Sequence, residues 1–234
     1  MKRHALLSMV LLVAAGGGFA RTAHAGPPLS ADAVISALTE RLRDEDASVR
    51  QAAALSLRKM GPDAKSAIPA LTELLRDIDA YVAIDAAHTL EKIGPEAAPS
   101  LVPLFRDRDP RVRVLAVRTL RQIGPDAKVA LPALTELLRD GDASVRQAAI
   151  VALREMGAAA KSAIPALAEL LRDRDSYVAI DASHALVKMG PEAVPSVVPL
   201  FRDTDPRVRE LAVRTLREIE IRSEAVSGGL QDRH

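Results

Sequence analysis

Apolar residues return along this chain at helical spacing, in pairs of stripes joined by a short polar turn. In one such pair Ile68, Leu71, Leu74 and Leu75 form the first stripe. Val82, Ala86, Thr89, Leu90 and Ile93, at offsets 0, 4, 7, 8 and 11, form the second. Pro69 falls in the first turn of the first stripe, where a missing N–H costs little. That helix is predicted to stop at Arg76-Asp77-Ile78-Asp79. Asp79 stands three residues before Val82, placed to cap the second helix and favour its positive end. Gly94-Pro95 then supplies a stop. The pattern therefore predicts a helical hairpin of about 30 residues.

The hairpin recurs. An apolar residue followed by Arg-Asp-x-Asp-x-x-Val begins at Leu42, Leu75, Phe105, Leu138, Leu171 and Phe201, with spacings of 33, 30, 33, 33 and 30 residues. Each copy carries a Leu eight residues after its Val, and five of the six close on Gly (Gly61, Gly94, Gly124, Gly157, Gly190). Glu220 stands where the sixth Gly would be. A fixed period in this range predicts stacked units rather than one globular core, because a lone hairpin cannot cover both of its apolar faces. The expected units are 30–61, 62–94, 95–124, 125–157, 158–190 and 191–220, within a repeat domain spanning 26–220. Residues 38–123 also match 134–219 at about three positions in four with an offset of 96, so units one to three read as a block copied to give units four to six.

The repeated residues resemble the HEAT family, in particular the short HEAT repeats of the phycobilisome-lyase type. An acidic turn, Val-Arg, an Ala-rich second helix and a Gly stop appear at Asp46-Ala47-Ser48-Val49-Arg50 to Gly61. They return at Asp109-Pro110-Arg111-Val112-Arg113 to Gly124, and again from Asp142 to Gly157. The resemblance covers about residues 30–220. It implies an all-α fold, an α-solenoid whose second helices line a concave face, with the turn acids and Val-Arg arginines forming interrepeat ion pairs. It says little about activity, since fold does not fix function.

The two ends lie outside this pattern. Lys2, Arg3 and His4 precede an apolar run from Ala5 to Ala20, and Ala23-His24-Ala25 offers a small-x-small cleavage site. Residues 1–25 are thus expected to be a secretory signal peptide cleaved near Ala25-Gly26, giving a secreted or periplasmic protein with no stable membrane insertion. Residues 221–234 lose the periodicity and are expected to be a flexible tail.

Composition narrows the function classes. Cleavage would remove Lys2, Arg3 and Arg21 and no acidic residue, taking the formal charge from +1 to about −2. Such a chain has no basic surplus for phosphate neutralisation, so nucleic acid is not an expected partner. The absence of Cys excludes disulfides and thiolate metal sites. There is no phosphate-binding Gly loop, G-x-S-x-G elbow or H-E-x-x-H, and no cofactor is expected.

Units two and five depart from the others in the same way. They read Tyr81-Val82-Ala83-Ile84-Asp85-Ala86-Ala87-His88 and Tyr177-Val178-Ala179-Ile180-Asp181-Ala182-Ser183-His184, with Ala83 and Ala179 in place of the Arg found in the other four. Tyr81, Asp85 and His88 fall on one flank of the second helix, as do Tyr177, Asp181 and His184. Asp85/His88 and Asp181/His184 are the candidates for a metal or acid–base site. Two ligands are too few for a closed site, however. The pairs also lie three repeats apart, roughly 30 Å at about 10 Å per layer. The alternative is a packed Tyr beside an Asp–His hydrogen bond.

A third possibility is a partner-binding patch of Tyr81, Asp85, His88, Tyr177, Asp181 and His184. Arg118, Arg121, Arg214 and Arg217 would extend it along the same face, beside Arg58 and Arg154. The expected function is an exported, non-enzymatic scaffold that binds a protein or peptide along its concave face. Two alternatives remain: an enzyme akin to the bilin lyases or deoxyhypusine hydroxylases of this repeat type, and a structural spacer in an envelope assembly.

Overall fold

The computed structural model describes residues 30–124 and 129–231. The expected signal peptide lies outside the described residues. The chain forms two compact units, one ending at Pro103 and the other beginning at Leu104. Both are built from helices alone among the described residues.

In the first unit, α1 (Ala31–Arg41) is followed by α2 (Ala47–Met60), α3 (Ile68–Glu73), α4 (Ala80–Ile93) and α5 (Ala98–Leu101). The pairs α1–α2 and α3–α4 are the predicted hairpins, and α2 packs against α4 as the neighbouring layer. Leu38, Leu57, Leu71 and Leu90 are fully buried between these helices, so each layer's apolar stripe is covered by the next.

In the second unit, α6 (Pro110–Ile123), α8 (Ala143–Met156), α10 (Ser176–Met189) and α12 (Pro206–Gln231) are the second helices of their hairpins. The intervening first helices are α7 (Leu131–Leu137), α9 (Ile164–Glu169) and α11 (Val194–Val197). The second helices pack in succession, α6 on α8, α8 on α10 and α10 on α12. Small residues line these seams: Ala116, Ala149, Ala182 and Ala212 are fully buried, which lets neighbouring backbones approach.

The first helices are less regular than the stripes predict. Around α3 the chain enters through a 3-10 stretch, Gly61–Ala67, and leaves through another, Leu74–Arg76. Pro69 lies in the first turn of α3, as its sequence position requires. The apolar stripe survives because 3-10 turns keep i and i+3 on one side.

Helix ends follow the turn chemistry closely. The second helices α2, α4, α6, α8 and α10 are capped by Asp46, Asp79, Asp109, Asp142 and Asp175, whose carboxylates accept from backbone amides of the first turn. The five closing glycines hold φ between 55° and 101°, a region that favours a residue without Cβ. The sixth unit has no such stop. With Glu220 in the Gly position, α12 continues to Gln231, so part of the segment expected to lack periodic structure is helical.

Candidate functional site

Each turn phrase Arg-Asp-x-Asp is a small hydrogen-bonded device. The first Asp accepts from the backbone N–H of the second, as in Asp79 N to Asp77 (2.9 Å) and Asp175 N to Asp173 (2.9 Å). The second Asp caps the helix. The same geometry holds at Asp44–Asp46, Asp107–Asp109, Asp140–Asp142 and Asp203–Asp205.

The first Asp also receives an arginine from the preceding repeat. Arg50 grips Asp77 with Nε (2.7 Å) and Nη2 (2.8 Å), while its Nη1 donates to the carbonyls of Asp44 and Glu45. Arg146 does the same to Asp173 (2.8 and 2.7 Å) and to the carbonyls of Asp140 and Gly141. Arg113 reaches Asp140 through Nη2 at 2.7 Å. Burial pushes the Asp77 carboxyl upward, but hydrogen bonds from Arg50 and the Asp79 amide outweigh it and leave the group below its ordinary value. These residues form the interrepeat ion pairs that the resemblance to HEAT repeats implied.

Units two and five break this scheme, since Ala83 and Ala179 stand where the Arg would be, and both are buried. In unit five the following turn is served differently: Arg172, from unit five's own turn, donates Nε to Asp203 at 2.6 Å and Nη1 to Glu169 at 2.9 Å.

The Tyr-Asp-His flanks do not show the packed Tyr and Asp–His hydrogen bond that one of the three sequence readings expected. Tyr81 and Tyr177 are 74% and 75% exposed, so neither is a packing residue. Asp85 accepts a hydrogen bond from Gln51 Nε2 at 2.6 Å and Asp181 one from Gln147 Nε2 at 3.1 Å, in place of the expected Asp–His bond. The physical reason lies across the layers. Gln51 on α2 faces Asp85 on α4, and Gln147 on α8 faces Asp181 on α10; each Gln precedes its Asp by one repeat plus one residue. That register was present in the sequence as a repeated Val-Arg-Gln, but only stacking shows what it meets. His88 is half-buried and His184 exposed.

Tyr81 and Ile84 are one helical turn apart and both exposed, and so are Tyr177 and Ile180. In the second unit, register places Arg118 of α6 and Arg214 of α12 at the position of His184. Arg118, Arg214 and Arg217 are exposed. Arg121 is tied to Glu155 at 3.0 Å and Arg214 to Glu218 at 2.9 Å. The second helices α10 and α12 therefore offer an exposed face with aromatic, aliphatic and cationic groups at matched positions. Among the described residues no group of three His, Cys, Asp or Glu could hold a metal ion, and no helix is long and apolar enough to cross a membrane.

A family model for HEAT repeats matches residues 22–91, 68–154, 98–187 and 164–232. The CpcE–CpcF complex of phycocyanin lyase from Nostoc sp. PCC7120 is similar in structure, with a TM-score of 0.50 and 26% identity over 86% of this chain and 80% of that one. An engineered protein gives a TM-score of 0.49 at 26% identity over 80% of this chain and 96% of its own. Computationally designed armadillo repeat proteins for modular peptide recognition give 0.47 at 20% identity, over 77% and 98% of the two chains. No curated protein matches the sequence.

Proposed function

The chain belongs to the HEAT-repeat family, and from that premise we propose that it is an exported, non-enzymatic scaffold that binds a protein or extended peptide along the concave face lined by its second helices. One observation carries this reading. Tyr177 and Ile180 stand exposed one turn apart on α10, as Tyr81 and Ile84 do on α4, at positions where a solvated helix would carry charges. Exposed tyrosines suit recognition, because they offer apolar area, a hydrogen-bonding tip and little conformational entropy to lose. The proposed export rests on the leader-like residues 1–25.

The test is recovery of partners from an envelope fraction by the purified protein and by Tyr177→Ala/Ile180→Ala. A partner bound by the native protein and lost at least tenfold by the variant, with helix content unchanged, is the expected result. Equal recovery would assign both side chains no part in binding.

A second reading, a lyase, is favoured by the likeness to the phycocyanin lyase complex. An assay of the purified protein on phycocyanin that yields no product removes it.

A further inference from the structure

One joint between neighbouring repeats has both of its sides repeated elsewhere in the chain. Where α6 packs on α8, Arg113 reaches Asp140 at 2.7 Å and Arg106 reaches Glu136 at 2.9 Å. Val117 of α6 and Val145 of α8 are fully buried. An offset of 96 residues carries the donor side onto α12 and the turn before it. Arg106, Pro110, Arg113 and Val117 return there unchanged as Arg202, Pro206, Arg209 and Val213. The same offset taken backwards carries the acceptor side onto α1, α2 and their turn, where Glu136, Asp140 and Val145 return as Glu40, Asp44 and Val49.

These second sets are not joined to anything among the described residues. Arg209 rests Nη1 on the carbonyls of Asp203 and Thr204 (2.8 and 3.0 Å), as Arg113 rests on those of Asp107 and Arg108. The guanidinium is thus already oriented, but no carboxylate meets it. Arg202 and Glu40 are exposed and have no side-chain partner among the described residues. Val213 is 36% exposed where Val117 is fully buried, and Val49 is half-buried where Val145 is fully buried. Asp44 accepts from the Asp46 amide, as its counterparts do in their turns, and from Arg41 at 3.3 Å. Both side chains of that pair are about one-third exposed, so it costs little to exchange.

The departures from the internal joint keep its charge balance. Glu155, which serves Arg121, becomes Lys59 on the acceptor side, while Gln122 becomes Glu218 on the donor side. Glu210 in place of Val114 and Arg41 in place of Leu137 add one charge to each side, and their signs are opposite.

We propose that copies of this chain stack end to end. The outward stripe of α12 in one copy receives the α1–α2 hairpin of a second copy, with Arg209 on Asp44 and Arg202 on Glu40. The occupant is a second copy because the residues required of it are those of this chain's own first repeat. Each copy uses a different surface for the contact, so association is heterologous and need not stop at two. This joint is independent of the partner-binding face.

Sedimentation equilibrium of the purified protein tests it. The average mass should rise above that of one chain between about 10 μM and 1 mM, the range of a weak protein contact. Val213→Glu, a change at an exposed position, should hold the mass at one chain throughout. Arg209→Glu and Asp44→Arg should each lose association alone and regain it when mixed, since each supplies the charge the other lacks. If Asp44→Arg disturbs its own turn, the exposed pair Arg202→Glu and Glu40→Arg gives the same comparison, with a several-fold loss for each alone and recovery on mixing. A mass of one chain at every concentration overturns the joint. So does association undiminished in Val213→Glu, or no recovery in the mixture of the exposed pair. Tyr177→Ala/Ile180→Ala should associate as the native protein does, so failure of the partner-binding face is read separately.

Discussion

Arg146 shows how much of this fold can hang on one side chain. The two side chains, of Arg146 and Asp173, are 6% and 8% exposed, and every hydrogen bond of the guanidinium crosses a turn or a layer. Removing it leaves Asp173 buried and short of its main partner, the situation in which a buried pair proves costly to break. Arg146→Ala is expected to lower stability by about 3 kcal/mol in a urea titration, with an unchanged slope. Arg207→Ala, at a pair whose arginine is 76% exposed, should be indistinguishable from the native protein. A loss for Arg146→Ala no larger than that for Arg207→Ala would remove the bridge from the account of stability. The same scale marks where reading the sequence ran out. Tyr81, Asp85 and His88 could be placed on one flank from the helical step alone. That Asp85 turns to Gln51 depends on which helix packs against it, which the step along one helix does not contain.

Helix starts and stops, by contrast, were legible almost residue by residue, because they depend on local chemistry. Aspartates cap five second helices, and the five predicted glycines close them with positive φ. The irregular first helices were not legible, since a stripe at i and i+3 serves an α-helix and a 3-10 turn alike. Nor was the run of α12 beyond Glu220, where scattered charges hid the consequence of a missing stop. Restoring that stop with Glu220→Gly/Ile221→Pro should end the helix there and reduce the helical circular dichroism by about one-twelfth of that of the described helices. An unchanged spectrum would mean that the Gly position does not set the length of this helix.

Across the whole molecule the caps and bridges add up to a dependence on pH. Hydrogen bonds from Ser48, Arg111, Ser144 and Arg207, together with first-turn amides, hold Asp46, Asp109, Asp142 and Asp205 below the ordinary 3.8. Asp77 is depressed against its own burial by Arg50 and the Asp79 amide, and Asp203 by the Asp205 amide and then Arg172. A carboxyl with a lowered folded pKa contributes stability that is present in full above its unfolded value and lost as pH falls through the folded one. The melting temperature should therefore be level from pH 7 to about 5 and fall steadily below about 4. A melting temperature unchanged down to pH 3 would contradict the depressed carboxyls. The bridges have one further consequence. Arg50, Arg113 and Arg146 each meet an aspartate 27 residues ahead, so donor and acceptor belong to successive repeats at a constant offset. A stretch of chain duplicated with its period intact, and ending on a unit that carries this arginine, brings a working donor at one end and a working acceptor at the other. The joint between old and new copies is thus correct on first appearance, and such a gene can lengthen its product without inventing a new interface.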